Sequence, residues 1–165
     1  MSNQTQFKAL FDYQYRTTRQ ILACAARLSQ ADCHEQPGYG RGSIHDLLFH
    51  LLRAGQSWRQ ALVTGRQQSS SRPEEYPDLP SLQAGFEAES AAWQAFLDGL
   101  SPDEIEAEVE LTNWRGDVAV LRRWAVLQHL ILHGMQHHAE LAQLLTAKGQ
   151  SPGDIDFIFY AMRMP

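Results

Sequence analysis

The stretch Val126-Leu-Gln-His129-Leu-Ile-Leu-His133-Gly-Met-Gln-His137-His-Ala-Glu-Leu141 decides how this chain is read. Val126, Leu130, His133, His137, Leu141 and Leu144 follow one another at steps of three or four, the spacing of one face of an α-helix. His133 and His137 therefore stand where the helix would otherwise place core leucines. A buried ring without a partner costs roughly 1–3 kcal/mol on mutational scales. Two imidazoles at i and i+4 point at a common ion in helical zinc motifs, so a metal ion is the leading candidate for that partner. His129 sits one turn earlier and drifts about 40° around the helix. It is expected behind the ligands or along an access path, and His138, about 100° off the ligand face, in solvent.

Working outward, three more amphipathic segments precede this one. Phe7, Leu10, Gln14, Thr17, Ile21, Cys24 and Leu28 alternate by threes and fours in a helix expected from about Gln6 to Ser29. The turn formers Gln36-Pro-Gly-Tyr-Gly-Arg-Gly42 end it. Ser43 has the character of an N-cap, with Asp46 in the first turn, for a second helix reaching about Thr64. Its inward face reads Leu47, His50, Ala54, Trp58 and Ala61. Residues 65–80, rich in Ser and Pro, make a crossover long enough for the third helix to run in the same direction as the second. The third is expected from a Ser81 cap to about Leu100, with Leu82, Phe86, Glu89, Trp93, Phe96 and Leu100 inward and Ser101-Pro102 as its stop. Alternation from Glu106 to Leu111 suggests a short strand, and Asn113-Trp-Arg-Gly116 a hairpin turn. The last helix is expected from near Val120 to a C-terminal glycine, Gly149. The aromatic tail, residues 151–160, is expected to dock on the bundle. The fold class is all-α: a four-helix bundle with a long crossover between helices two and three and a small β-hairpin before helix four.

Composition narrows the function. The 165 residues suit one domain, 1–165, and 44% apolar content is ordinary for a globular chain. Fourteen Lys and Arg against nineteen Asp and Glu give a net charge of −5, and the basic residues are scattered, so no nucleic-acid footprint exists. No apolar run approaches the roughly 20 residues that span a bilayer. The opening MSNQTQFKAL lacks a signal-peptide profile. Two cysteines, Cys24 and Cys33, make no disulfide framework, and a cytoplasmic location with both thiols reduced is expected.

Seven histidines are present. His50 is inward on helix two between Leu47 and Trp58, as His133 and His137 are on helix four. Three neutral imidazoles from two packed helices make a three-histidine site with a coordination position left open. A di-iron site wants Glu-x-x-His pairs, yet the residues three before each histidine are Ala31, Gly42, Leu47, Val126, Leu130, Gly134 and Met135; none is acidic. His34 and His45 read as loop and helix-start residues. Gln14 (with Thr17) and Glu89 interrupt the apolar seams of helices one and three. Glu89 is the candidate base, fourth ligand or partner behind the ligands; the alternative is a partly exposed glutamate at the seam's edge. Trp58 and Trp93 read as packing residues walling the cavity.

The run Ser43-Ile-His-Asp-Leu-Leu-Phe-His50-Leu, together with His129 through Leu141, Leu145 and Gly149, resembles the DinB-like family. Phe11-Asp-Tyr-Gln14 and Ser151-Pro-Gly-Asp-Ile-Asp156 extend the resemblance over nearly the whole chain. It implies a four-helix bundle, commonly a homodimer, whose ligands by match are His50, His133 and His137, holding zinc, nickel or a similar divalent ion. Relatives in the wider superfamily use a low-molecular-weight thiol for transfer or isomerisation, which implies a metal-dependent transferase, isomerase or hydrolase. The alternative is a non-catalytic metal-binding, stress-response or dimerisation bundle. The chain departs from the common pattern just after the last ligand, where many members carry Arg-Gly-Gln or similar and this sequence reads His138-Ala139-Glu140.

Overall fold

A computed structural model describes residues 3–68 and 71–164. Met1 and Ser2 of the opening stretch, Ser69 and Ser70 of the crossover, and Pro165 lie outside the described residues. Four long helices carry the fold: α1 (Asn3–Ala25), α3 (Ile44–Thr64), α4 (Leu79–Asp98) and α6 (Arg123–Ala147). Between them lie short α2 (Gln30–His34) and α5 (Pro102–Glu106), and strands β1 (Glu108–Thr112) and β2 (Val118–Arg122); α7 (Phe157–Ala161) follows.

Side-chain pairs fix the direction of each helix. Lys8 pairs with Asp98 and Arg19 reaches Ser90, so α1 and α4 are antiparallel. Gln14 lies against Gly134 and Thr18 against His138, so α1 and α6 are parallel. His50 meets His133 and His137 while Trp58 meets His129, so α3 and α6 are antiparallel. Leu52 approaches Gly85 and Arg59 binds Glu89, so α3 and α4 run together, as the long crossover requires. The helices thus form a ring, α1–α4–α3–α6, in which each packs on two neighbours. Ile21, Leu48, Leu82, Trp93, Leu127 and Leu141 fill its centre with almost no exposure.

Several boundaries move for local reasons. The first helix stops at Ala25, because Ser29 caps a separate turn: its hydroxyl accepts from the Asp32 amide, in a capping box that starts α2. Asp78, not Ser81, caps α4; its carboxylate accepts from the Ser81 amide at 2.9 Å, and Pro80 falls in the first turn, where no N–H is needed. Ser101 does not merely stop α4. It caps α5 by accepting from the Glu104 amide. Val120 belongs to β2, paired with Glu110, and α6 begins only at Arg123, whose amide donates to the Ala107 carbonyl at 3.0 Å. The hairpin turn is as expected, with Asn113 and Asp117 joined at 2.9 Å. Gly149 closes α6 in the left-handed conformation (φ 74°). There the Gln150 amide donates to Leu145 and the Gly149 amide to Thr146, a Schellman pair. The tail docks on α1 through Tyr13, whose ring meets Phe157 and Tyr160 and whose hydroxyl donates to the Ile155 carbonyl. Even so, Phe157, Ile158 and Phe159 stay exposed.

Candidate metal centre

Two helices hold the centre, and each is locked in phase by its own sequence. Ser43 and Asp46 exchange hydrogen bonds across the first turn of α3, at 3.1 and 3.0 Å, and Gln36 donates to the same carboxylate at 2.8 Å. This start places His50 two turns along, facing α6. On α6, Gly134 lets α1 close in: a Cβ there would lie 2.6–2.9 Å from the Gln14 amide. That approach leaves the adjoining flank of α6, with His133 and His137, against α3.

His50, His133 and His137 each offer one ligand atom, and these atoms all lie within 4.8 Å of one another. The Nε2 atoms of His50 and His133 are 3.1 Å apart. Tetrahedral zinc at about 2.0–2.1 Å from each nitrogen spaces its ligands about 3.4 Å apart, so this pair already stands at ligand separation. The three rings meet edge to face, at 4.5–5.0 Å between centroids and 71–90° between planes. Rings that converge on one point from different directions adopt this arrangement.

His137 carries the clearest sign of a cation site. Its Nδ1 donates to Glu140 Oε2 at 2.9 Å, which places the ring proton there and leaves Nε2 as a bare lone pair. That Nε2 is buried and has no hydrogen-bond partner, while the residue is only 1% exposed. A carboxylate behind a histidine is the usual way proteins orient a ligating imidazole and raise its basicity. The residues present therefore fit a divalent ion.

The electrostatics agree with ligation. Burial first, then the neighbouring Arg41, His137 and Arg53, push His50 down to about 4. Burial and the neighbouring His137, His50, His129 and Arg41 push His133 to about 4 as well. Both rings are therefore neutral, as ligands must be, through the physiological range. Burial opposes ionisation of Glu140, but the hydrogen bond from His137 outweighs it and holds the carboxyl below its usual value. Arg41 contributes to the shifts of His50, His133 and Glu140, so its guanidinium adds positive charge near the centre.

The other expected residues fall in different places. His129 is exposed and stacks on His133 at 5.6 Å, with Trp58 edge-on to it at 5.4 Å; it stands beside the ligands. Glu89 is 3% exposed, and both its oxygens accept from Arg59 at 2.8 Å, outside the histidine group. Trp93 packs on Phe11 in the core, and Thr17 donates to the Tyr13 carbonyl. Gln14 reaches the interior next to His133. His34 and His45 stack on each other at 4.3 Å, with His45 donating to the Tyr76 carbonyl, away from the group. His138 corrects the expectation of solvent exposure. It is fully buried, 2.9 Å from Thr18 Oγ1, and burial pushes it down to about 3. Because α6 has two neighbours, a residue 100° off the α3 face lies in the α1 interface. Sequence reasoning missed Glu140 and Arg41. The first was legible as a carboxylate three residues after a ligand; the second as the one cation in the glycine loop.

The sequence model of the DinB family matches residues 1–164. The fold is similar to the crystal structure of a DinB-like protein from Bacillus subtilis, with a TM-score of 0.68 and 17% identity. That match covers 88% of this chain and 94% of the other. No curated protein matches the chain's sequence.

Proposed function

The chain belongs to the DinB family, and we propose that within it this protein is a metal-dependent enzyme acting on a small molecule, with His50, His133 and His137 holding zinc or nickel. The observation that carries the reading is the buried Nε2 of His137, backed by Glu140 and aimed at two other neutral imidazoles. A divalent ion on three imidazoles keeps an open position, where it polarises a bound group or lowers the pKa of a water or thiol.

The protein's own residues set the rest. Glu140 holds the His137 ring in one tautomer, so its lone pair needs no reorganisation to bind. His129 and Trp58 wall one side of the centre. Arg41, charged and without a hydrogen bond or ion pair among the described residues, favours an anionic group near the centre. A low-molecular-weight thiol entering as thiolate, with a carboxylate elsewhere on it, suits that environment. Transfer, isomerisation and hydrolysis are all compatible with it.

A second reading, a metal-binding bundle with no reaction, is favoured by one observation. Glu140 is committed to His137 and Glu89 to Arg59, so neither carboxylate is free to move protons. The two readings part on one experiment. Cobalt-loaded protein is titrated with a panel of small thiols, and the visible spectrum is followed. Spectral change that weakens in Arg41→Ala supports the enzyme reading, and no change across the panel favours the second.

A homodimer is the proposed assembly. Trp114, Val118, Val120 and Trp124, exposed around the hairpin, supply apolar surface for a second copy. Sedimentation showing only monomer at tens of micromolar would remove that part. No described helix is long and apolar enough to cross a membrane.

A further inference from the structure

On the bundle side of His133 the four long helices enclose a cavity of about 10 Å³. That is close to the smallest space that admits one water molecule. Three of its lining residues each carry a buried polar atom without a partner: Gln14 Oε1 from α1, Trp93 Nε1 from α4 and His138 Nδ1 from α6; the Tyr15 side chain, with its hydroxyl, lines it as well. Trp93 and His138 are both fully buried, so bulk solvent does not satisfy them. Each such atom costs about 1–3 kcal/mol if nothing pairs with it.

Two of the three hydrogen-bonding characters follow from the group alone, and the third from its neighbour. The indole N–H of Trp93 only donates, and the Gln14 carbonyl oxygen only accepts. His138 follows from its neighbour. The Thr18 hydroxyl donates to the Gln14 backbone carbonyl at 3.1 Å, so toward His138 Nε2, at 2.9 Å, it accepts. The proton of His138 is therefore on Nε2, and Nδ1 is a bare acceptor. The three unpartnered atoms around this space of one water's size are one donor and two acceptors. The complement is a molecule that accepts one hydrogen bond and donates two. A halide cannot donate, ammonium cannot accept, and an apolar gas does neither.

We propose that this cavity is a built site for a single ordered water, which accepts from Trp93 and donates to Gln14 and His138. It ties α1, α4 and α6 together and forms the polar floor beneath His133. The site stands on the bundle's own atoms, whatever the histidine group holds, so metal-free protein serves for the test.

In a crystal structure of the metal-free protein, one water is expected within about 3.2 Å of all three atoms. A cavity without density, or the three groups bonded to one another, overturns the proposal. In solution, the Trp93 indole N–H should show a cross-peak to water with the negative NOE of a molecule held longer than the protein tumbles. Its absence from the wild-type spectrum also overturns the proposal. Gln14→Met removes one acceptor and leaves Trp93 in place. At least a tenfold weaker cross-peak is expected, and wild-type intensity in that variant contradicts the three-partner assignment.

Discussion

Glu140 gives the sharpest single-residue prediction, because it touches the centre only through His137. The hydrogen bond is charge-assisted, 2.9 Å long, with the imidazole 1% and the carboxylate side chain 35% exposed. Removing such a partner from a metal-bound histidine typically lowers affinity 10–100-fold. Glu140→Gln keeps an oxygen that can accept from Nδ1 but removes the charge, so about tenfold weaker binding is expected, or about 1.4 kcal/mol. Glu140→Leu also removes the acceptor and leaves the Nδ1–H unpaired, which moves the loss toward 100-fold. Competition between protein and a chromophoric chelator for zinc at pH 7 measures both. Urea unfolding of the metal-free variants provides the control; because the carboxylate is a third exposed, Glu140→Gln should change stability by no more than about 1 kcal/mol, and Glu140→Leu by about 1–3 kcal/mol for the unpaired Nδ1–H. Zinc affinity within twofold of wild type for Glu140→Leu would refute the reasoning.

Three further outcomes are expected. Glu89→Gln should cost about 3 kcal/mol in urea unfolding, the low end for breaking a buried ion pair because Arg59 keeps some solvent contact, with zinc affinity unchanged; weaker zinc binding would instead put Glu89 in the centre. Gly134→Ala gains about 1 kcal/mol of helix propensity but drives a methyl into the Gln14 amide, a clash worth about 1–3 kcal/mol, so the melting temperature should fall; a rise contradicts the α1–α6 packing. Metal-free protein should lose stability in acid. His50 and His133 (about 4) and His138 (about 3) all lie below the ordinary value of 6.5, so the unfolded chain binds more protons below that pH. Their contribution is whole above pH 6.5 and is lost as pH falls toward 4 and then 3. The slope is at most about 1.4 kcal/mol per pH unit for each ring, and less for His50 and His133, which keep solvent contact. Unfolding free energies that stay flat from pH 6.5 to 4.5 would contradict it.

What was legible in the sequence followed from periodicity and capping. His50, His133 and His137 stood out because apolar neighbours at three-four spacing fixed which way they faced, and Ser43 with Asp46 fixed the phase of α3. Periodicity fails where two elements compete for the same residues. Val120 and Leu121 continue the apolar rhythm of α6, but cross-strand pairing with β1 claims them. It also gives one face to a helix that has two, which is why His138 was misplaced. Short α2 and α5 were invisible because single capped turns carry no period. Glu140 needed a rule applied in the other direction. In a Glu-x-x-His pair the ligating carboxylate precedes its histidine, whereas a carboxylate that orients a ligand can follow it by one turn.

The central claim is that three histidines from two helices hold one metal ion, and metal content tests it most directly. Protein without a polyhistidine tag, loaded with zinc, desalted and analysed by mass spectrometry of the elements, should carry about one ion per chain, and His137→Ala should lose it. No bound metal in the wild type, or equal metal in His137→Ala, would contradict the account.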